Sequence, residues 1–109
     1  MNIKKELDQI VDIVSSKTGI TQSEIKGRSR KQQVILARHM VSFIATFAGY
    51  TVMKVGEYLN RHYSTIINSR DKAMDFMTYN LEYSKQINEA IVCLGIIRKI
   101  SQKQQQKSY

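Results

Sequence analysis

The stretch from Thr51 to Lys72 constrains the fold more than any other part of the sequence. Apolar residues recur at helical spacing in its first half, stop at the polar interval Asn60–His62, and resume after it. This pattern predicts two short helices joined by a tight turn. The second helix opens with the polar residues Tyr63, Ser64 and Thr65. Two helices arranged in this way are typical of a helix-turn-helix, in which the second helix presents its N-terminal side chains to a partner.

The rest of the chain is also patterned as helices. Apolar periodicity and capping residues predict helices at Asn2–Thr18, Thr21 to about Gly27, Gln32–Ala48, Val52–Leu59, Tyr63 to about Thr78, and Leu81 to about Ser101. Proline is absent, which suits an all-helical chain. We therefore expect an all-α, compact bundle of about six helices. It would form one domain over residues 1–101, with the helix-turn-helix at about 51–78 and a disordered polar tail at 102–109.

Two of these helices have informative faces. The helix Gln32–Ala48 is apolar on most sides and is therefore expected in the middle of the bundle. Its residues Arg38, Ser42 and Thr46 lie four apart and are expected to form its exposed stripe. The last helix carries one apolar stripe, made of Ile87, Ala90, Ile91, Leu94, Ile97 and Ile100.

Charge is distributed unevenly along the chain. The formal net charge is +8, and no acidic residue occurs between Ile25 and Gly56. That window carries six basic residues: Lys26, Arg28, Arg30, Lys31, Arg38 and Lys54. An excess of one sign favours polyanionic partners. Beside a helix-turn-helix, it favours double-stranded DNA.

Several other classes of protein find little support in the sequence. No apolar run is long enough to cross a bilayer, and the N-terminus lacks a signal-type apolar core, so we expect a cytoplasmic protein with no membrane partner. The single cysteine, Cys93, excludes an internal disulfide and is expected to be a small core residue. His39, His62 and Cys93 lack metal-ligand spacing, and no catalytic constellation stands out. We expect no metal, no cofactor and no enzymatic activity.

The residues around the turn carry a resemblance to a known family. From Val55 to Lys72 the chain reads VGEYLNRHYSTIINSRDK. In order along the chain, this segment has a small apolar pair, a polar turn, a basic residue, hydroxyl residues, two aliphatic residues, and a small residue followed by a basic one. Upstream lie a basic loop, Gly27–Arg30, and a long apolar helix containing Ala37 and Arg38. Over roughly Asn2–Met77 the chain resembles the C-terminal DNA-binding domain of the bacterial replication initiator DnaA.

The chain also departs from that family's pattern. Its turn is one residue shorter than the commonest form, Tyr63 stands where the family usually has His, His62 stands where Asp is commoner, and Ala73 replaces a larger aliphatic. The family's target sequence is therefore not carried over. No GxxxxGK[ST] phosphate loop occurs in the sequence. The resemblance thus implies a stand-alone DNA-reading domain without the ATPase module, in a bacterial or phage-infected cell and associated with its nucleoid.

The resemblance and the charge pattern together assign candidate DNA contacts. Ser64 and Thr65 are expected at base edges or phosphates, with plain helix capping as the alternative. Asn68, one turn on, either pairs with adenine or is solvated. The remaining candidates are assigned to phosphates, a narrow minor groove or the helix start: Arg28, Arg30, Lys31, Arg38, Lys54, Arg61, His62 and Tyr63.

Three functions remain open from the sequence. The leading one is sequence-specific binding of double-stranded DNA in replication control or transcriptional regulation. The alternatives are a non-specific architectural DNA binder, and a helical adaptor that binds another protein or an anionic surface. A homodimer or a protein partner would use the helix Leu81–Ser101.

Overall fold

The computed structural model describes residues 3–106, with side chains described for residues 3–100. Its six α-helices are α1 Ile3–Thr18, α2 Gln22–Lys26, α3 Gln32–Phe47, α4 Val52–Leu59, α5 Tyr63–Tyr79 and α6 Leu81–Gln106. No strand occurs within the described residues. The prediction of an all-α bundle is confirmed. Asn2, the predicted cap of α1, lies outside the described residues.

The helix boundaries follow from local capping interactions. Thr21 and Glu24 form a reciprocal capping box at the start of α2. The Thr51 hydroxyl accepts a backbone N–H at 3.1 Å at the start of α4, and the Asn80 side chain does the same at 2.9 Å for α6. Gly19 ends α1 with a positive φ of 78°. Each cap satisfies backbone groups that would otherwise lack a partner.

The third helix lies at the centre of the bundle, as predicted. It packs against all five other helices. Its buried residues face several directions and include Val34, Ala37, Met40, Val41, Ile44 and Ala45. α1, α5 and α6 pack around it, and their buried aliphatic side chains complete one continuous core.

The predicted exposed stripe on α3 is wrong. Ser42 is fully buried, and Arg38 and Thr46 are half-buried. The hydroxyl of Ser42 donates to the carbonyl oxygen of Arg38 at 3.3 Å, and that of Thr46 donates to the carbonyl oxygen of Ser42 at 2.9 Å. These bonds within the helix satisfy both hydroxyl groups, so neither residue needs contact with solvent.

The sixth helix is longer than predicted. It continues past Ser101 to Gln106, since the Gln- and Lys-rich sequence there contains good helix formers and no helix breaker. Residues 102–106, predicted to be disordered, are therefore helical, and 107–109 lie outside the described residues. Ile87 and Leu94 of the predicted stripe are buried, whereas Ile100 is 52% exposed. Cys93 is half-buried at the edge of the core.

A buried ion pair ties α6 to the start of α1. The Glu6 carboxylate, although charged, is buried. Arg98 donates to its two oxygens at 3.1 and 2.6 Å, and the Tyr50 hydroxyl donates to it as well. Arg98 also donates to the carbonyl oxygen of Ala48 at 3.0 Å. This cluster joins α1, the end of α3 and α6 into one unit, because each donor comes from a different part of the chain.

Candidate nucleic-acid interface

The tight turn between α4 and α5 depends on a glycine inside α4. The Arg61 N–H donates to the Gly56 carbonyl oxygen at 2.8 Å. A Cβ built on Gly56 would lie 2.6 Å from the Arg61 carbonyl oxygen, which no real contact allows. Asn60 takes the left-handed conformation that reverses the chain, at φ 56° and ψ 50°. The predicted turn Asn60–His62 therefore brings α5 close against α4 because residue 56 has no side chain.

His62 is the N-cap of α5. Its Nδ1 accepts the backbone N–H of Ser64 at 3.2 Å and lies 2.8 Å from the Ser64 hydroxyl oxygen. The Tyr63 ring packs on the imidazole, with ring centroids 4.4 Å apart and planes tilted by 32°. The capping residue is His62, and the Ser64 hydroxyl contacts its imidazole, so only the Thr65 hydroxyl is left unexplained by the cap.

The first turns of α5 present a polar face to solvent. Ser64, Thr65 and Asn68 are exposed and share one side of the helix, while Ile66 and Ser69 are buried on the other. Within the described residues, the side chains of Thr65 and Asn68 have no hydrogen-bond partner. An exposed row of short donors and acceptors at a helix N-terminus has the geometry needed to contact base edges.

The basic loop Gly27–Lys31 is held in place by Arg38. The guanidinium group of Arg38 donates to three backbone carbonyl oxygens: Nε to Ile25 at 2.9 Å, Nη2 to Glu24 at 3.1 Å and Nη1 to Ser29 at 3.2 Å. The three acceptors lie on both sides of the loop's first residues. Arg38 thus fixes the path of the loop against α3.

Arg61 joins the turn to the same loop. Its Nη2 donates to the Gly27 carbonyl oxygen at 2.6 Å. Burial and the guanidinium group of Arg28 lower the pKa of Arg61. Burial, Arg61 and Arg28 likewise lower the pKa of Arg38. Arg28, Arg38 and Arg61 are therefore close together in the fold, although Arg28 precedes Arg38 by 10 residues and Arg61 by 33 residues in the sequence.

The other predicted basic residues differ in exposure and in ion pairing. Arg28, Arg30, Lys31 and Lys54 are exposed, and Lys54 lines an open groove between α1 and α4. Lys26 is paired: its Nζ lies 3.1 Å from an Asp8 carboxylate oxygen and 5.1 Å from the centre of the Tyr58 ring. The loop, the turn and the first turns of α5 together form the candidate interface, hereafter the loop–turn surface (residues 27–31 and 60–68).

Sequence reasoning missed the two glycines that shape this surface. A Cβ at Gly27 would lie 2.9 Å from the Ser23 carbonyl oxygen, and Gly56 has the tighter contact described above. The sequence did contain one indication of this contact. Gly56 lies in the interior of a predicted helix, where glycine is destabilising and usually occurs because another part of the chain packs closely against it.

Among the residues that the structure describes, no three His, Cys, Asp or Glu side chains are grouped so that they could hold a metal ion. In the same part of the chain, no helix is both long enough and apolar enough to span a bilayer.

Comparison with known families agrees with this geometry. The family model described as the bacterial DnaA protein helix-turn-helix matches residues 7–73, which include the basic loop, the turn and most of α5. The chain belongs to the bacterial DnaA helix-turn-helix family. The matched region ends within α5, before α6 begins.

Curated relatives carry the same family name. The chain is 32% identical over 69 residues to the chromosomal replication initiator protein DnaA of Kosmotoga olearia, covering 62% of this chain and 15% of that protein. It is 29% identical over 93 residues to DnaA of Mycoplasma capricolum, covering 84% and 19%, and 24% identical over 92 residues to DnaA of a Synechococcus species, covering 83% and 20%. The chain spans about a fifth of the length of such relatives.

Proposed function

We propose that this chain binds double-stranded DNA in a sequence-specific manner, with the N-terminal half of α5 in the major groove. The family supports DNA binding by this helix-turn-helix. Thr65 and Asn68 would contact base edges, and Ser64, His62 and Tyr63 would lie at the groove entrance against bases or phosphates. This orientation agrees with their exposure and with the absence of described partners for Thr65 and Asn68.

The single observation that carries the proposal is the hydrogen bond from Arg61 to the Gly27 carbonyl oxygen. It joins the basic loop to the start of the reading helix, so both can meet one duplex at once. Arg28, Arg30 and Lys31 would then reach the flanking phosphates or a narrow minor groove. Lys54 and Arg61 are assigned to phosphates.

We assign Arg38 mainly to positioning the loop. A guanidinium group has five N–H donors. Three of the Arg38 donors point at backbone carbonyl oxygens. A phosphate contact by Arg38 would have to use the remaining donors, so its larger effect on binding would come through the path of the loop.

The charge of the loop–turn surface sets an expected salt dependence. If the five cations assigned here to phosphates or the minor groove (Arg28, Arg30, Lys31, Lys54 and Arg61) all neutralise phosphates, affinity should fall by roughly two to three decades between 50 and 200 mM salt. Replacing Arg30 by Ala should weaken binding to every duplex and make this dependence shallower by about one unit of slope. A matched control is Lys85→Ala, which removes an exposed cation from α6. An unchanged slope in the Arg30 variant would remove the loop from the interface.

The experiment that tests the function is binding selection from a randomised duplex library at moderate salt, followed by titration of the selected duplex against a scrambled one. We expect a consensus site with an affinity advantage of at least about a thousandfold over scrambled DNA. Binding without a consensus would establish a non-specific architectural protein instead. Absence of binding would contradict the proposal and favour an adaptor role.

The biological setting is part of the same proposal. The relatives are named as chromosomal replication initiators, so control of replication is the first use to test, and transcriptional regulation is the second. Comparison of the selected consensus with the sites bound by those initiators would separate a shared target from an independent one.

A further inference from the structure

The imidazole of His62 is held in one orientation at the start of α5. Its Nδ1 accepts the backbone N–H of Ser64 at 3.2 Å, and the Ser64 hydroxyl oxygen lies 2.8 Å from the same nitrogen. The Tyr63 ring packs on the imidazole, with 4.4 Å between the ring centroids. Contacts along one edge and on one face therefore fix the ring relative to the helix.

The capping bond decides which ring nitrogen carries the hydrogen. A neutral imidazole has one N–H donor and one bare nitrogen, which accepts. A backbone N–H can only donate, so a hydrogen on Nδ1 would face the N–H hydrogen of Ser64 across 3.2 Å. Nδ1 is therefore the bare nitrogen, and Nε2 carries the hydrogen. The Ser64 hydroxyl can rotate, so it is able to donate to Nδ1 as well.

The Nε2–H group is available to a partner outside the chain. His62 is exposed, and within residues 3–100 its hydrogen-bond contacts all lie at Nδ1. His62 is also the residue directly before α5, at the end of the reading helix that meets base edges in a helix-turn-helix. The cap thus leaves a donor, and no acceptor, on the imidazole where DNA would lie.

We propose that His62 is a specificity-determining residue, whose Nε2–H donates to a guanine edge in the major groove; this inference rests on the proposed function. Guanine presents two acceptors there, N7 and O6, whereas adenine and cytosine present an amino group and thymine places a methyl group beside its acceptor. To accept from an amino group, the imidazole would need its hydrogen on Nδ1, which would break the cap. The same bond that starts α5 therefore sets the base preference.

Nitrogen-15 NMR of the full chain without DNA tests the tautomer by itself. In mildly alkaline buffer, the ring nitrogen that carries hydrogen and the bare nitrogen have different chemical shifts. The chain contains two histidines, and the signals of His39 are assigned by their loss in His39→Leu. We expect the hydrogen of His62 on Nε2. A hydrogen on Nδ1 would overturn the inference and leave the proposed function intact.

Two variants of equal shape test the base contact. Asp and Asn are both good N-caps, so His62→Asp and His62→Asn should both fold, which circular dichroism checks. Asn keeps an N–H donor beside its capping oxygen, and ionised Asp has none. In selection from a randomised duplex library, wild type and His62→Asn should favour guanine over adenine at one position by about tenfold. In His62→Asp this preference should be lost, or reversed towards adenine or cytosine, whose amino groups can donate to the carboxylate.

Other results of the selection would overturn the inference. A guanine preference that persists in His62→Asp, or the same base selected by both variants, would show that the donor is not read. An equal loss of affinity on selected and scrambled duplexes would assign His62 to a phosphate. These results leave sequence-specific binding by the rest of α5 standing, whereas a wild-type chain that selects no consensus would remove the proposed function and this inference together.

Discussion

The α1–α6 side of the bundle and the loop–turn surface differ in whether their charged side chains are paired with opposite charges. On the first, Arg98 pairs with Glu6 at 2.6 Å and Lys17 pairs with Glu89 at 3.4 Å. On the second, the window Ile25–Gly56 that contains the basic loop has no acidic residue, and burial together with neighbouring guanidinium groups lowers the pKa of Arg38 and of Arg61.

The difference separates stability from binding. Removing one partner of a buried ion pair leaves the other charge buried and unpaired, which lowers the free energy of unfolding. A cluster of like charges raises the free energy of the isolated protein, and a polyanion relieves that cost when it binds. In the protein without DNA, Arg38 and Arg61 donate hydrogen bonds to backbone carbonyl oxygens, which hold both side chains in place. Substitutions on the two sides should therefore affect different measurements.

The largest expected effect is on stability and comes from the paired side. Arg98→Ala would leave the buried Glu6 carboxylate with the Tyr50 hydroxyl but no cation. Breaking a buried pair costs about 3–5 kcal/mol, and we expect about 2–3 kcal/mol here because the Arg98 side chain is 38% exposed. Urea unfolding measures this loss, with DNA affinity unchanged.

Lys17→Ala is the matched control for that experiment. It removes the other ion pair between α1 and α6, whose members are 34% and 45% exposed, and should cost less than about 1 kcal/mol. Equal losses from the two variants would contradict the view that burial makes the Glu6–Arg98 pair important.

The next effect is on DNA affinity and comes from the turn. Arg61→Ala removes a cation and the bond that joins the turn to Gly27, so binding to all duplexes should weaken and the salt slope should become shallower by about one unit. The free energy of unfolding should fall by only about 1 kcal/mol, the worth of a hydrogen bond. Titrations at several salt concentrations measure the slope. Lys26→Ala should leave it unchanged, since Lys26 is already paired with Asp8; a similar change in both variants would argue against the loop–turn surface.

A smaller effect is expected on the choice of sequence. Thr65→Ala should reduce the preference for the selected site over random duplex by about 1 kcal/mol, because it removes a base-edge contact and leaves the cations in place. Competition binding measures that ratio. Thr78→Ala, near the other end of α5, should leave the ratio unchanged. An equal loss on cognate and random DNA would assign Thr65 to the phosphates.

A separate effect concerns the pH dependence of stability. Burial, with Lys72 and Arg38 nearby, lowers the pKa of His39 to about 4, whereas an unfolded histidine titrates near 6.5. The unfolded chain binds more protons between these values, so stability should fall as pH is lowered from about 6.5 to 4. The hydrogen bonds from Arg98 hold the pKa of Glu6 below its usual value, and the resulting stability should be lost as pH falls further.

Thermal unfolding at a series of pH values separates the two groups. His39→Leu should flatten the dependence above pH 4.5, and Arg98→Ala should flatten it below that value, where glutamate titrates. Parallel curves for wild type and the His39 variant would show that the imidazole is not responsible.

Local features were predictable from the sequence and distant ones were not. The turn Asn60–His62 and the caps Thr21, Thr51 and Asn80 followed from residues within four positions of one another. The Glu6–Arg98 pair joins residues 92 apart, and the Arg61–Gly27 bond joins residues 34 apart. Helical periodicity carries no information on such pairs.

Arg38 shows why the candidate site was only partly predictable. Its spacing with Ser42 and Thr46 indicated an exposed stripe, since polar residues four apart usually face solvent. Three backbone carbonyl oxygens from α2 and the loop turn its guanidinium group inward instead. Those acceptors lie 9 to 14 residues away and are backbone atoms, so no side-chain pattern in the sequence predicts these hydrogen bonds.

The most direct test of the central claim is to follow the backbone amide signals of the isotope-labelled chain by NMR while a selected duplex is added. We expect the largest shifts at residues 27–31 and 60–68, with those of Glu6 and Tyr50 unchanged. Shifts centred instead on α1 and α6, with the loop–turn surface silent, would contradict the assignment of the unpaired cations and the N-terminus of α5 to DNA.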